Sequence, residues 1–227
     1  MISFQNVTKK FSSAITAVDD INLQIQNGEF VFLVGPSGAG KSTLLRLLAH
    51  EYVPTTGKIL VDEFDITKMK HDQLPDYRRK VGFVFQDFKL LEDRTVFENV
   101  ALSLEVRGIS EEEIQKEVER TLKLFEIWSR RNLFPQQLSG GEAQRTAIAR
   151  AIIGKPEVLL ADEPTGDLDP QTAWAVLQLL NEINSWGTTI IMATHNSEIV
   201  NTLKRRTVIL KGGKIVKDSL EGKYELH

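Results

Sequence analysis

The chain has 227 residues, 41% of them hydrophobic and 26% charged, as in a globular protein with a substantial core, and it has no cysteine for disulfides or thiolate metal sites. Its net charge of −3 argues against a general nucleic-acid binder, since such proteins usually carry a basic field. The N-terminus lacks a signal-peptide core and no apolar run approaches the ~20 residues that span a bilayer, so we expect a cytoplasmic protein that reaches membranes through a partner.

The first part of the chain consists of predicted strands with one clear helix among them. Its N-terminal segments alternate polar and apolar side chains, as half-buried strands do, whereas FVFLVG is continuously apolar, as in a strand buried on both faces. The strands are predicted at 2–7, 21–26, 30–35, 58–66 and 81–86. A helix is predicted at 42–50, and the alternating segments indicate a small antiparallel sheet beside the main one.

The stretch from about 88 to 153 changes character and is predicted to form a helical lobe inserted between strands. Ser110 is a suitable N-cap for one of its helices, and acidic residues fill the first turn of that helix. Strands return at 158–164 and 188–195 with a helix between them, and a hairpin is predicted around the glycine pair at 212–213. Strands that alternate with helices imply an α/β fold with a parallel-sheet core.

A glycine-rich loop between a buried strand and a helix carries GPSGAGKST, which matches the P-loop pattern G-x-x-x-x-G-K-[ST]. Backbone N–H groups of such a loop cradle phosphate, and Lys41 is expected to reach the β- and γ-phosphates while Ser42 ligates Mg²⁺. A chance glycine-rich turn is the alternative, and the flanking strand and helix argue against it. The loop residues predicted to bind nucleotide are Gly35, Ser37, Gly38, Gly40, Lys41, Ser42 and Thr43.

Two acids end the apolar run in VLLADEP. Asp162 follows four apolar residues, and an acid at such a strand end can hold Mg²⁺ through water beside a P-loop. Glu163 comes next and is predicted to point the other way along the strand, where it polarises an attacking water as a general base. Two solvated acids at a strand end are the alternative, and a P-loop in the same chain favours the catalytic interpretation.

Two further polar residues end apolar strands. His195 closes TTIIMATH, at an edge where it can lie beside the γ-phosphate, although a lone histidine is more often structural. Gln86 ends VGFVFQ, and its amide can reach a metal ion or a water, with a surface turn residue as the alternative. Both are candidate catalytic residues, and Gln86 is also a candidate Mg²⁺ ligand.

A second candidate anion site lies in LSGGEAQRTAIARA, residues 138–151. Ser139 is a good N-cap and the run from Glu142 to Ala151 favours a helix, whose free N-terminal N–H groups attract an anion. One chain with a P-loop has no evident need of a second phosphate site. The question is therefore whose phosphate it binds.

With these residues in order, the chain resembles the ATP-binding-cassette (ABC) ATPases over nearly its whole length. The resemblance rests on the P-loop, the strand ending at Gln86, LSGGE, VLLADEP with GDLD, and His195. It implies that LSGGE is the signature motif, that GDLD at 166–169 is the D-loop with Asp169 near nucleotide, and that His195 is the switch histidine. It also implies that Phe11 stacks on adenine, with a core anchor as the alternative for this ring.

The resemblance further implies one ABC nucleotide-binding domain over 1–227, with a parallel-sheet core, a small antiparallel β lobe and a helical lobe at about 88–153. Two chains are expected to dock head to tail on ATP, so that Ser139, Gly140 and Gly141 of one chain contact the ATP on the P-loop of the other. ATP and Mg²⁺ are the expected cofactors, and ATP hydrolysis is the expected reaction.

A narrower resemblance links the chain to the cell-division branch of the family, the FtsE-type ATPases. It rests on VGFVFQDFKLLEDRTVFENVAL, LLADEPTGDLDPQTAW and IIMATHNSEIVNTL. It implies an integral membrane partner of the FtsX type, activation of peptidoglycan hydrolysis, and a peripheral place on the cytoplasmic face of the bacterial cell membrane at the division site. Asp167 departs from the asparagine usual in this branch and adds a charge near the expected dimer interface.

Other functions stay open at this point. Lipoprotein-release and macrolide-export ATPases share the DEPTG-LD pattern. A soluble ABC ATPase that acts on nucleic acid or the ribosome usually needs a coiled coil, tandem cassettes or basic insertions, and we find none in the sequence. A small-molecule kinase would use the P-loop but would not need LSGGE.

The segment from Phe88 to Arg107 is predicted to be helical, to sense nucleotide through Gln86 and to touch the membrane partner. Some of its apolar side chains are candidates for a socket that receives a coupling helix, and ordinary packing of the helical lobe is the alternative. These side chains are Phe88, Leu90, Leu91 and Val96.

Overall fold

Two β-sheets form the framework of the described chain, in a computed structural model that describes residues 1–220, 222 and 224. The smaller sheet consists of β1 (Ile2–Lys10), β2 (Thr16–Ile25), β4 (Thr56–Val61) and β5 (Phe64–Asp65). Its strand order is β2-β1-β4-β5 and its pairings are antiparallel. This confirms the predicted antiparallel lobe.

The larger sheet is the parallel core. Its strands are β3 (Phe30–Val34), β6 (Val81–Val84), β7 (Val158–Asp162), β8 (Thr189–Thr194), β9 (Arg206–Lys211) and β10 (Lys214–Ser219). They lie in the order β10-β9-β3-β8-β7-β6, and only the edge strand β10 runs antiparallel to its neighbour among the described residues. The hairpin predicted at Gly212 and Gly213 joins β9 to β10.

The central strands are buried on both faces, as their continuous apolar sequences predict. In β3, Phe30, Phe32 and Val34 pack into the cluster on the helical-lobe side, whereas Val31 and Leu33 pack into the opposite cluster with α1 (Lys41–Leu48) and the smaller sheet. Parallel pairing of β3, β8 and β7 brings their carboxyl ends to one edge of the sheet, which is where ligands bind in open α/β sheets.

The helices lie around this sheet, and α3, α4 and α5 form the predicted helical lobe. After α1 the helices are α2 (Leu74–Lys80), α3 (Val96–Glu105), α4 (Glu111–Leu124), α5 (Gly140–Ile152), α6 (Pro170–Ser185) and α7 (Ser197–Leu203). The predicted caps are confirmed, since Ser110 and Ser139 accept hydrogen bonds from the third helical N–H of α4 and α5. No helix in the described part of the chain has the length and apolarity to cross a membrane.

The segment 58–66 was predicted as one strand, and this prediction is wrong. β4 ends at Val61, Asp62 takes a left-handed φ of 52°, and β5 turns back to pair with β4. Aspartate tolerates this conformation better than most residues, so a turn interrupts an otherwise strand-like pattern.

The segment after Gln86 also differs from its prediction. Phe88 and Lys89 have left-handed φ angles of 58° and 49°, and the helix begins only at Val96. Val96 is fully buried in the core, so it belongs to the packing of the lobe rather than to a partner socket. α2, α7 and the short 3₁₀ turns before α2 were not predicted at all.

Candidate functional site

The P-loop connects the end of β3 to the start of α1 and leaves phosphate-binding groups free. Within the described residues no side chain caps α1, whose N-cap Gly40 has a left-handed φ of 104°. The Lys41 ammonium is almost buried and donates to the carbonyls of Gly35 at 2.8 Å and Pro36 at 3.3 Å. Uncapped helix N–H groups beside a buried cation make this turn a strong anion site.

Asp162 and Ser42 meet beside this loop, as predicted. The Ser42 hydroxyl donates to Asp162 Oδ1 at 2.9 Å. Burial raises the pKa of the Asp162 carboxyl above its ordinary value, while the bond from Ser42 acts in the opposite direction. Paired oxygen ligands at the mouth of a P-loop fit Mg²⁺, which usually takes one or two protein oxygens and completes its shell with water and phosphate. The described residues contain no cluster of three or more His, Cys, Asp or Glu that could hold a metal by itself.

Glu163 reaches the same site by a route that the sequence did not predict. β7 ends at Asp162, and Glu163 has a left-handed φ of 47°, so strand alternation does not apply and the prediction that the two acids point in opposite directions is wrong. Glu163 Oε1 lies 3.8 Å from Lys41 Nζ and 3.0 Å from His195 Nδ1, and the His195 backbone N–H donates to Oε2 at 3.2 Å. A nearly buried carboxylate thus lies between the P-loop lysine and the histidine.

One open cavity of about 700 Å³ contains these groups. Besides the P-loop residues, Glu163 and His195, its lining includes Gln86 and Phe11. The Phe11 ring is 51% exposed and makes an edge contact with Tyr52, with ring centroids 5.1 Å apart, so the core-anchor interpretation of Phe11 does not hold. The structure therefore places the predicted cis residues around one space that is large enough for a nucleotide.

Tyr224 also lines this cavity, although no sequence pattern predicts it there. It is nearly buried, and its backbone N–H donates to Asn201 Oδ1 at 2.8 Å while Asn201 Nδ2 donates to its carbonyl at 3.1 Å. Burial, and then the negative charge of Glu163, raise the pKa of its phenol. No local pattern marks such a residue, because its position depends on docking against α7.

The signature turn lies elsewhere. Ser139, Gly140 and Gly141 are absent from the described lining of the P-loop cavity. Instead, a Cβ placed on Gly140 would lie 3.7 Å from Leu168, and one on Gly141 would lie 2.7 Å from the Thr172 methyl, so this turn packs beside the D-loop. Asp169 caps α6 by accepting from the N–H groups of Gln171 and Thr172 at 3.0 and 3.1 Å.

Ser139 and Glu142 form a reciprocal capping box at this turn. The Ser139 backbone N–H and hydroxyl donate to Glu142 Oε2 at 2.8 and 2.9 Å, and the Glu142 N–H donates back to the hydroxyl at 3.4 Å. Arg130 Nε donates to Glu142 Oε1 at 2.7 Å. The Arg130 bond and the Ser139 N–H lower the pKa of Glu142 to about 2.

Comparison with known proteins places this geometry in context. Residues 18–166 match the family described as ABC transporter. The chain is 50% identical over 224 residues to the cell division ATP-binding protein FtsE of Bacillus subtilis, covering 99% of this chain and 98% of that protein. It is 44% identical to the methionine import ATP-binding protein MetN of Vibrio vulnificus, of which it covers 67%. A dimeric post-hydrolysis ATP-binding cassette bound to ADP and Pi superposes with a TM-score of 0.90 at 38% identity, covering 99% of this chain and 100% of that one.

Proposed function

The chain belongs to the ABC transporter family and is an ATPase, and from that premise we propose that it powers a membrane complex in bacterial cell division. We propose that residues 1–227 act as one nucleotide-binding domain, and that two copies enclose two ATP molecules on the cytoplasmic face of the membrane. Closing on ATP and opening after hydrolysis is the mechanical output. The observation that carries ATP hydrolysis is the Glu163 carboxylate between Lys41 and His195 in the P-loop cavity, and the near-complete match to a cell division ATP-binding protein supports the cellular role.

Glu163 is the proposed general base. It accepts a proton as the attacking water forms its bond to the γ-phosphorus and the bond to the β–γ bridging oxygen breaks, which leaves ADP and phosphate. His195 orients the carboxylate, since both its ring and its backbone N–H face Glu163. Lys41 stabilises negative charge on the β- and γ-phosphates.

Mg²⁺ is the proposed metal, because the hydroxyl of Ser42 and the carboxylate of Asp162 offer it adjoining oxygens. When bound, Mg²⁺ neutralises charge on the phosphate oxygens. Gln86, which also lines the cavity, is proposed to contact the metal or the attacking water. Phe11 offers its exposed ring to the adenine.

The signature turn is proposed to serve the neighbouring chain. It is absent from the described lining of the P-loop cavity of its own chain, which leaves its N–H groups for an ATP held elsewhere, and the similar cassette bound to ADP and Pi is dimeric. In a head-to-tail pair each ATP meets the P-loop of one chain and Ser139, Gly140 and Gly141 of the other. The γ-phosphate then stabilises the closed dimer, and its removal releases it.

A groove beside the helical lobe is the proposed seat of the membrane partner. It has a volume of about 560 Å³ and lies between β6, α2 and α3, with Phe83, Leu91, Leu102 and Val106 among its apolar lining. Of the four residues of the predicted socket, the described lining of this groove includes only Leu91. Phe88 and Leu90 are half-buried and do not line the groove. The loop that begins at Gln86 forms part of this wall, so nucleotide and partner contact one segment.

The cell-division role is favoured over transport by the extent of the match. The chain spans 98% of the Bacillus subtilis FtsE but 67% of the MetN protein. We therefore propose a membrane partner of the FtsX type and control of peptidoglycan hydrolysis at the division site. An ATPase subunit of a methionine, lipoprotein or efflux transporter is the second candidate.

The test is to purify the full chain with its partner from bacterial membranes in mild detergent and to identify the partner by mass spectrometry. A four-span protein with a large extracellular loop, which also stimulates ATP hydrolysis after reconstitution with the pure chain, supports the proposal. A methionine, lipoprotein or drug permease in its place overturns the division role and keeps the ATPase. Copurification with ribosomes or nucleic acid overturns the membrane coupling itself.

A further inference from the structure

Arg150, near the C-terminal end of α5, holds the loop that follows Gln86. Its Nη1 donates to the Lys89 carbonyl at 2.7 Å, and its Nη2 donates to the Phe88 carbonyl at 2.8 Å. Two bonds from one planar guanidinium fix orientation as well as distance. Burial lowers the pKa of Arg150, which reflects how far this contact is withdrawn from water.

The loop that Arg150 holds has an unusual backbone. Phe88 and Lys89 both have left-handed φ angles, a conformation that residues other than glycine rarely adopt. Asn99 of α3 also holds the loop, because its Oδ1 accepts from the Leu91 N–H at 2.8 Å and its Nδ2 donates to the Leu91 carbonyl at 3.1 Å. Such a conformation persists only where its surroundings over-determine it, and it is often found in functional segments.

The same helix carries the signature turn at its other end. α5 has 13 residues, so about 20 Å of rigid helix separates its two ends. Ser139 and Gly140 lie at its N-terminus. Arg150 lies three residues before its C-terminal cap and donates hydrogen bonds to the Gln86 loop. One rigid element thus touches the proposed trans phosphate and the loop that lines the cis nucleotide cavity.

We infer that Arg150 is a positioning residue that makes the Gln86 loop move together with α5. A phosphate of the neighbouring chain that binds at the N-terminus of α5 therefore changes the position of Gln86 in this chain's own nucleotide site. The two ATP sites of a dimer are thereby coupled through α5. The inference rests on the head-to-tail dimer proposed above. Arg107 provides a matched control, because it makes the same kind of fork to the carbonyls of Gly154 at 2.7 Å and Arg79 at 2.8 Å, neither of which belongs to the Gln86 loop.

The experiment uses the absence of cysteine from the sequence. Glu92→Cys in the full-length Glu163→Gln chain carries an environment-sensitive fluorophore on the Gln86 loop, and ATP is titrated while light scattering reports dimer formation. We expect the emission of the fluorophore to change over the ATP concentrations at which light scattering shows the dimer forming, and not when ATP binds to the single chain. In Arg150→Lys the dimer still forms, and the emission change falls about tenfold, because a flexible ammonium cannot reproduce the fixed fork.

Arg107→Lys is expected to keep the emission change of the parent. If Arg150→Lys keeps the full change within a formed dimer, or if Arg107→Lys loses as much, the inference is wrong. A parent chain that binds ATP but never dimerises contradicts the proposed function instead. Should Arg150→Lys fail to fold, Arg150→Gln keeps a donor that is too short to bridge the Phe88 and Lys89 carbonyls, and an undiminished emission change there also overturns the coupling.

Discussion

The P-loop and the signature turn are both glycine-rich helix N-termini, yet they meet an anion in different ways. At α1 the N-cap is a glycine without a side-chain cap, and Lys41 is buried against two backbone carbonyls. At α5, Ser139 and Glu142 form a capping box through the Ser139 and Glu142 N–H groups, and Arg130 holds the Glu142 carboxylate. The P-loop turn thus offers a cation to a phosphate, whereas the carboxylate at the signature turn is bound into the cap of its own helix.

This difference separates binding from sensing. A phosphate on the P-loop meets helix N–H groups without a side-chain cap and the Lys41 cation, all within one chain. At the signature turn the Glu142 carboxylate lies beside the N-terminus of α5 and repels a phosphate, so binding there depends on how closely a second chain presents the ligand. The turn that looks redundant in a single chain is therefore suited to report the presence of a neighbour.

The largest expected effect comes from Glu163, whose side chain faces the P-loop turn. Glu163→Gln removes the general base while keeping the shape of the side chain, so turnover should fall about 10³-fold with ATP affinity retained. The dimer should then accumulate in the presence of ATP. Light scattering measures the dimer, and release of phosphate measures turnover. A variant that stays monomeric at saturating ATP, also with the membrane partner present, would contradict the shared-site arrangement.

A smaller but still large effect is expected at the other turn. Ser139→Arg places a bulky side chain where the neighbour's phosphate approaches, so hydrolysis should fall about 10²-fold while each chain still binds ATP on its P-loop. Equilibrium binding of a fluorescent ATP analogue and steady-state turnover measure the two quantities separately. Loss of ATP binding would mean that LSGGE belongs to the nucleotide site of its own chain. The proposed difference between the two turns would then be wrong.

The sequence predicted these two turns because each is encoded within a few consecutive residues. The P-loop pattern, the acidic strand end at Asp162 and the cap at Ser139 are local, and the structure places them as expected. The left-handed backbone at Glu163 and at Phe88 is not encoded by a glycine, so a propensity argument assigns both residues to ordinary strand or helix. Tyr224 and the Arg150 fork depend on contacts between elements far apart in sequence, which no periodicity reveals.

The pH dependence of the free energy of unfolding should reveal how much the Glu142 carboxylate contributes at the signature turn. The pKa of Glu142 is lowered from 4.5 to about 2 in the folded chain, so its contribution is present above pH 4.5 and is lost as the pH falls toward 2. Glu142→Gln should lower the unfolding free energy by about 1 kcal/mol at neutral pH, with the difference from the parent shrinking below pH 4.5. Denaturant unfolding at several pH values measures this difference.

Glu113 is the control for that measurement. It makes a similar contact with Ser110 at the start of α4, and no ion pair is found for it within the described residues. Glu113→Gln should therefore have a smaller effect at neutral pH. Equal effects for the two substitutions would show that Arg130 adds nothing at the signature turn.

The smallest expected effect concerns how tightly each turn is packed. A Cβ on Gly35 would lie 2.2 Å from the Leu210 carbonyl oxygen, a backbone atom that no substitution removes, whereas a Cβ on Gly141 would meet only the methyl of Thr172 at 2.7 Å. In Gly141→Ala the gain in helix propensity should offset this clash, and in a Thr172→Ser background the same change should stabilise the chain by about 0.5–1 kcal/mol.

A thermal-unfolding double-mutant cycle measures the coupling between Gly141 and Thr172. Thr172→Ser should give no such relief to Gly35→Ala, and a cycle with zero coupling at Gly141 would mean that the signature turn is as loosely packed as a surface loop.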